Sequence, residues 1–188
     1  MIRRLLLLGL VLSLAACETI SVNRDYDKSR DFAAYRTWTW AQPPFEYKPD
    51  DPRIKSDITE QRIRDAVASQ LDQRGLRPAA SGSAADLKAR AYLIVDQRQD
   101  QYTSSYGGWY GWGGGCCGGY WGAPYVESRT VYYNVATIQI DLLDGKDGKL
   151  VWRGSGAKTV YKTSPNPAER EAEIREAVQK VLAQYPPH

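Results

Sequence analysis

Strict two-residue alternation is the feature that most narrows the folds open to this chain. Leu87, Ala89, Ala91, Leu93 and Val95 alternate with Lys88, Arg90, Tyr92, Ile94 and Asp96. Successive side chains of a strand point to opposite faces, so this pattern gives one apolar side to a core and the other side to different surroundings. Val131–Leu143 repeats it, with Ile138, Ile140 and Leu142 on one face. Asp144-Gly145-Lys146-Asp147-Gly148 supplies turn residues, and Leu150-Val151-Trp152-Arg153 begins a returning strand. Upstream, Ile20, Val22 and Arg24 alternate with Ser21 and Asn23 up to Tyr26. Tyr35–Trp40 is dense in aromatic and β-branched residues, which favour strands. Between these two, Asp27–Asp31 reads as a turn with Phe32 packing inward, and Pro43, Pro44, Pro49 and Pro52 predict an extended connection.

Two segments switch to helical spacing. Asp57 and Glu60 have capping-box spacing ahead of a stripe of Ile58, Ile63, Ala66, Val67 and Leu71, and Gly75 is a helix stop. This predicts a helix at about 56–74. Asn166 is an N-cap with Pro167 at the first helical position, followed by Ile174, Ala177, Val178, Val181, Leu182 and Tyr185 up to Pro186-Pro187. The order ββαβββα predicts an α+β, two-layer domain: an antiparallel-rich mixed sheet of about five strands with both helices on one face. No internal repeat is present.

The N-terminus carries an address. Arg3 and Arg4 precede an apolar run from Leu5 to Leu14, about half of what a membrane-spanning helix needs, and Leu14-Ala15-Ala16-Cys17 closes it. This arrangement resembles the bacterial lipoprotein signal. The resemblance implies removal of residues 1–16, lipidation of Cys17 as a diacylglyceryl thioether, usually a third acyl chain on the new amine, and a single anchored domain over 17–188. Two or three acyl chains make a stable anchor where one does not. Glu18 rather than Asp after Cys17 resembles the sorting signal for the outer membrane. Without Arg3 and Arg4 the net charge falls from +3 to +1, with 23 basic against 22 acidic side chains. So balanced a surface predicts no nucleic-acid partner.

With Cys17 acylated, only the adjacent Cys116 and Cys117 remain. Neighbouring Cα atoms lie about 3.8 Å apart, shorter than the usual disulfide range of about 4.4–6.8 Å, which leaves a strained ring, free thiols or an intermolecular disulfide. They sit within a stretch, 102–125, that the flanking strand patterns mark as a long loop. It carries Tyr106, Trp109, Tyr110, Trp112, Tyr120 and Trp121 among nine glycines from Gly107 to Gly122, and no charged residue interrupts Tyr102–Val126. Glycine at this density argues against a helix. Three readings stay open: a connection whose aromatics fold back onto the domain, a binding surface for a glycan or an envelope protein, or insertion at lipid headgroup depth.

Catalytic signatures are scarce. The single histidine is His188, the last residue, which removes His-based acid–base chemistry, Ser-His-Asp and Cys-His arrangements and an ordinary His-rich zinc site. No glycine-rich phosphate loop links a strand to a helix. Asp141, Asp144 and Asp147 bracket a turn without the ligand pattern of a calcium loop, and Asp25, Asp27 and Asp31 read as turn and edge-strand residues. No catalytic residue, metal or cofactor is assigned.

In order along the chain, Asp25-Tyr26-Asp27, Asp31–Trp40, Ile63–Val67 running into Gly75-Leu76, Ala85-Asp86-Leu87, the Gly/Tyr/Trp-rich insertion, Ile140–Asp144 and Lys149–Gly154 resemble the bacterial lipoproteins of the domain of unknown function 4136 family. The resemblance implies a fold and an address, and no reaction. The sequence thus predicts a membrane-anchored envelope lipoprotein of unknown molecular activity, facing the periplasm from the outer membrane. It reads as a non-enzymatic binding or structural module, with an envelope protein, glycan or lipid headgroup at the aromatic loop. The alternative is a carboxylate-dependent envelope hydrolase working through Asp141.

Overall fold

Two strands of twenty residues, β4 (Leu87–Tyr106) and β5 (Tyr125–Asp144), pair antiparallel in one unbroken register from Leu87 opposite Asp144 to Tyr106 opposite Tyr125. The computed structural model describes residues 20–80, 82–106, 125–160 and 166–187. Around the long pair, β1 (Ser21–Tyr26), β2 (Thr37–Lys48), β3 (Arg77–Pro78) and β6 (Leu150–Val160) complete a six-stranded sheet in the order β1-β6-β5-β4-β2-β3. The β1, β6, β5 and β4 neighbours are antiparallel, while β2 runs parallel to β4 and β3. Helices α1 (Asp57–Gln73) and α2 (Pro167–Leu182) pack against each other over this sheet.

Parity decides the core. Leu87, Ala89 and Ala91 of β4 lie opposite Asp144, Leu142 and Ile140 of β5, and Leu142 and Ile140 lie opposite Trp152 and Gly154 of β6. The apolar members of these rows are buried together with Ile63, Val67 and Leu71 of α1 and Val178, Val181 and Leu182 of α2. Two glycines on β6 allow α2 its close approach. A Cβ at Gly154 would lie 2.3 Å from the Trp152 ring and 2.8 Å from Val181 Cγ1, and one at Gly156 would lie 2.9 Å from Val181 Cγ2. Phe32 packs inward as expected, edge-on to Tyr26, Tyr35 and Tyr185 with ring centroids 5.9–6.1 Å apart.

The α+β architecture and the mixed sheet match the sequence reading, with differences of detail that have physical reasons. Among the described residues the sheet has six strands, the sixth being β3, a two-residue pairing beside β2 with no periodic signature. Strand β2 continues through Pro43 and Pro44, where the register shifts between Trp40 and Phe45. Prolines cannot donate to a ladder, and a bulge is where a strand tolerates them. The N-cap of α1 is Ser56, whose hydroxyl accepts the Thr59 N–H, so Asp57 and Glu60 occupy the first turn. Ile58 is 64% exposed, because five residues before Ile63 is well off the buried stripe. Strands β4 and β5 reach Tyr106 and Tyr125, so 102–106 and Tyr125 of the expected 102–125 loop are paired strand, while 107–124 lie outside the described residues.

Replacing Gly154 by alanine should lower stability by about 1–3 kcal/mol, as overpacking does in a filled core. Urea denaturation reads this directly, and unchanged stability would refute the close contact between β6 and α2.

Candidate functional site

Carboxylates are the side chains that the sequence leaves as candidates for chemistry. Three of them surround Arg30. Its guanidinium donates to Asp27 at 3.3 Å, Asp144 at 3.2 Å and Asp147 at 2.6 Å, pinning the turn after β1 to the turn between β5 and β6. Asp144 is buried; burial pushes its carboxyl up, but the Lys146 amide, the Tyr35 hydroxyl, the Asp147 amide and Arg30 together hold it below the usual range. Asp147 is held low first by Arg30, and Asp27 first by the Ser29 hydroxyl and amide. Tyr35 is pushed up to about 12 by burial and by its bond to Asp144. The guanidinium thus fills the space between carboxylates where a cation would sit. Among the described residues no group of three acidic, histidine or cysteine side chains is placed to hold a metal.

Asp141 lies on the sheet face away from the helices. Arg153 grips it with two bonds of 2.7 and 2.6 Å, Gln139 adds a third of 3.1 Å, and its side chain is almost wholly buried. Its register partners extend this into a row across four strands, Arg90–Asp141–Arg153–Asp25, of alternating sign. Arg90 also bonds the carbonyls of Gln42 and Pro43, closing the β2 bulge. A carboxylate engaged in this way holds strands together, and the arrangement gives no support to a hydrolase.

The open feature lies at one end of the sheet. Ser21, Ala157, Thr137, Ile94 and Lys48 form one cross-strand row, and beyond it the strands stop one by one. Among the described residues β6 pairs as far as Val160, opposite Asn134, and from Arg98 and Tyr133 outward only β4 and β5 continue. At about 3.4 Å per residue this two-stranded arm reaches about 30 Å from the body. Tyr102, Val126 and Tyr132 are exposed on it. At its root a cleft of about 670 Å³ opens between the beginnings of α1 and α2 and the uncovered end of the sheet. Leu93, Val95, Ala136, Ile138 and Ile174 line its apolar part, and Arg53, Lys55, Lys158 and Arg170 stand around it with Glu169 and Glu173. The volume falls within the range of small-molecule sites. Sequence patterning missed the cleft, because its walls come from five separate segments.

Of the residues singled out from sequence, Tyr106 is the last paired residue of β4. Cys17, Trp109, Tyr110, Trp112, Cys116, Cys117, Tyr120, Trp121 and His188 lie outside the described residues. Among the described residues no helix is long and apolar enough to cross a membrane.

Comparison with known proteins gives a family and a fold. Residues 22–187 match the family model described as domain of unknown function DUF4136. A PDZ domain protein from Parabacteroides distasonis ATCC 8503 is similar over 90% of this chain with 13% identity and a TM-score of 0.53; the chain spans 36% of that protein. A DUF4136 family protein from Bacteroides thetaiotaomicron VPI-5482 is 21% identical, covering 89% of this chain and 96% of its own, with a TM-score of 0.46. PelC from Paraburkholderia phytofirmans, seen as a dodecamer, is 13% identical over 88% of this chain and 96% of its own, with a TM-score of 0.43. No curated protein is significantly similar in sequence.

The Arg30 cluster makes a pH-dependent prediction. Carboxylates held low in the fold stabilise it above their unfolded value of 3.8, and that contribution is lost as pH falls through their folded values. Arg30→Gln should therefore lower the urea midpoint at pH 7, and the deficit should shrink below about pH 3. An equal deficit at both pH values would mean that Arg30 acts by packing alone.

Proposed function

The chain belongs to the DUF4136 family, and from that premise we propose that it is a non-catalytic binding module anchored in the cell envelope by acyl chains on Cys17. The observation that carries this reading is a shared end. Ser21, where the first strand begins, stands in the row of residues beyond which the arm projects. Cys17 precedes Ile20 by three residues, a reach of about 10 Å at most. A membrane holding Cys17 therefore lies on the arm's side of the domain, nearer than the arm is long.

Residues 107–124 join the two strands of that arm, and Trp109, Tyr110, Trp112, Tyr120 and Trp121 among them, with Tyr106, are the proposed contact residues. Trp and Tyr settle at the headgroup level of a bilayer, where one end of the ring is apolar and the other wet. The shared end supports a lipid-headgroup contact over a soluble glycan or protein partner. Glu18 supports the outer membrane as the location, with the domain on its periplasmic side.

Cys17→Ala should release the protein from the membrane fraction into the periplasm; continued membrane fractionation would overturn the anchor. A photoreactive residue at Trp112 should give lipid adducts in cells. Replacing 107–124 by a short Gly-Ser turn should keep the fold and weaken vesicle binding of the chain lacking its acyl groups. Unchanged vesicle binding would overturn the role of the aromatic stretch.

A further inference from the structure

The cleft at the root of the arm has no part in that reading, and its position suggests what fills it. Helices α1 and α2 pack on the apolar rows from Leu87 to Ala91, and their first turns, from Ser56 to Ile63 and from Glu169 to Ala177, wall the cleft over the rows of Leu93 and Val95. The apolar floor left there is Leu93 and Val95 with Ala136 and Ile138, and Ile174 closes one side. The chain enters the fold at the wall of this cleft. Ile20 is buried, and its Cγ2 lies 3.3 Å from the Cβ position of Gly156, a lining residue. Three residues before it is Cys17.

We infer that the cleft is an acyl-chain site and that its occupant is a chain carried by Cys17 of the same molecule. The inference rests on the reading that Cys17 is acylated. Three observations fix the occupant: the floor is apolar hydrocarbon, the volume suits one flexible ligand, and the attachment point is within about 10 Å of the wall. So short a tether gives the chain an effective concentration in the millimolar range, which a free lipid does not match. A bilayer is as apolar as the cleft, so the cleft holds the chain chiefly when the protein is out of the membrane. It then shields one acyl chain from water during transit.

The test uses the chain from residue 17 onward, which contains every described residue, with Cys116→Ser and Cys117→Ser. Cys17 is alkylated with hexadecyl maleimide bearing a terminal diazirine, and the monomer is illuminated in detergent-free buffer. Mass spectrometry should place the adducts on peptides holding Leu93–Val95, Ala136–Ile138 and Ile174. Ala136→Trp, which fills the floor, should cut them about tenfold with circular dichroism unchanged. Should that variant misfold, Val95→Lys serves instead, and the adduct map of the parent stands on its own. Adducts on the arm, on other copies, or spread without preference would overturn the cleft as the site. The mass of the Cys17 peptide from membranes of expressing cells tests the premise separately. An unmodified Cys17 there overturns the proposal together with the anchor, whereas an acylated Cys17 with misplaced adducts overturns the cleft alone.

Discussion

Everything in this fold hangs on the register of β4 against β5. Twenty pairs run without a shift, and a slip of one residue would turn every apolar side chain of the central strands away from the helices. The parity that puts Leu87, Ala89 and Ala91 under α1 and α2 also governs the arm beyond them. There Gln97, Gln99, Gln101 and Thr103 share a face with Asn134, Tyr132, Thr130 and Ser128, and that face carries no charge. Asp96, Arg98, Asp100, Arg129 and Glu127 all fall on the other side. The arm is thus two-faced in charge although it is exposed on both sides.

The described carboxylates that looked most like chemistry are used to tie the chain together. Arg30 joins residues more than a hundred positions apart through Asp144 and Asp147, and Arg153 clasps Asp141 between neighbouring strands. Asp86 does similar work, accepting the amides of Arg36 and Thr37 and the Thr37 hydroxyl, and these bonds keep it below the usual carboxylate range. Buried charge of this kind is tolerable only when its partners are fixed. The apolar cleft and the exposed arm take no part in these clasps.

The sequence revealed elements wherever one face is buried and the other is not. Leu87–Val95 alternates because helices cover one side of it, and Ile174–Leu182 repeats at helical spacing for the same reason. Past Asp96 both faces meet water, so Gln97–Ser105 has no apolar alternation although its backbone goes on pairing, and the part from Tyr102 onward reads as a loop. Strand β3 and the proline stretch of β2 were hidden similarly, since backbone pairing leaves no mark on side-chain pattern. Arg30 was invisible as a hub: turn chemistry accounted for each aspartate locally, and nothing local pointed to a guanidinium across the fold. The cleft was hidden because its floor is apolar residues that read simply as core.

The direction of β1 has a mechanical consequence. It starts at the arm's end of the sheet and runs away from it, paired with β6 from Ser21 opposite Ala157 to Tyr26 opposite Trp152. Antiparallel hydrogen bonds lie perpendicular to the strands, so tension applied ahead of Ile20 acts along the strand and loads all the pairs together, in shear. A pull toward the same side attached instead at Tyr26 would fold the chain back on itself and peel the strand away one pair at a time. The edge strand of this sheet is therefore oriented to resist a pull applied at its leading residue, and the burial of Ile20 adds a packed stop at the point of load.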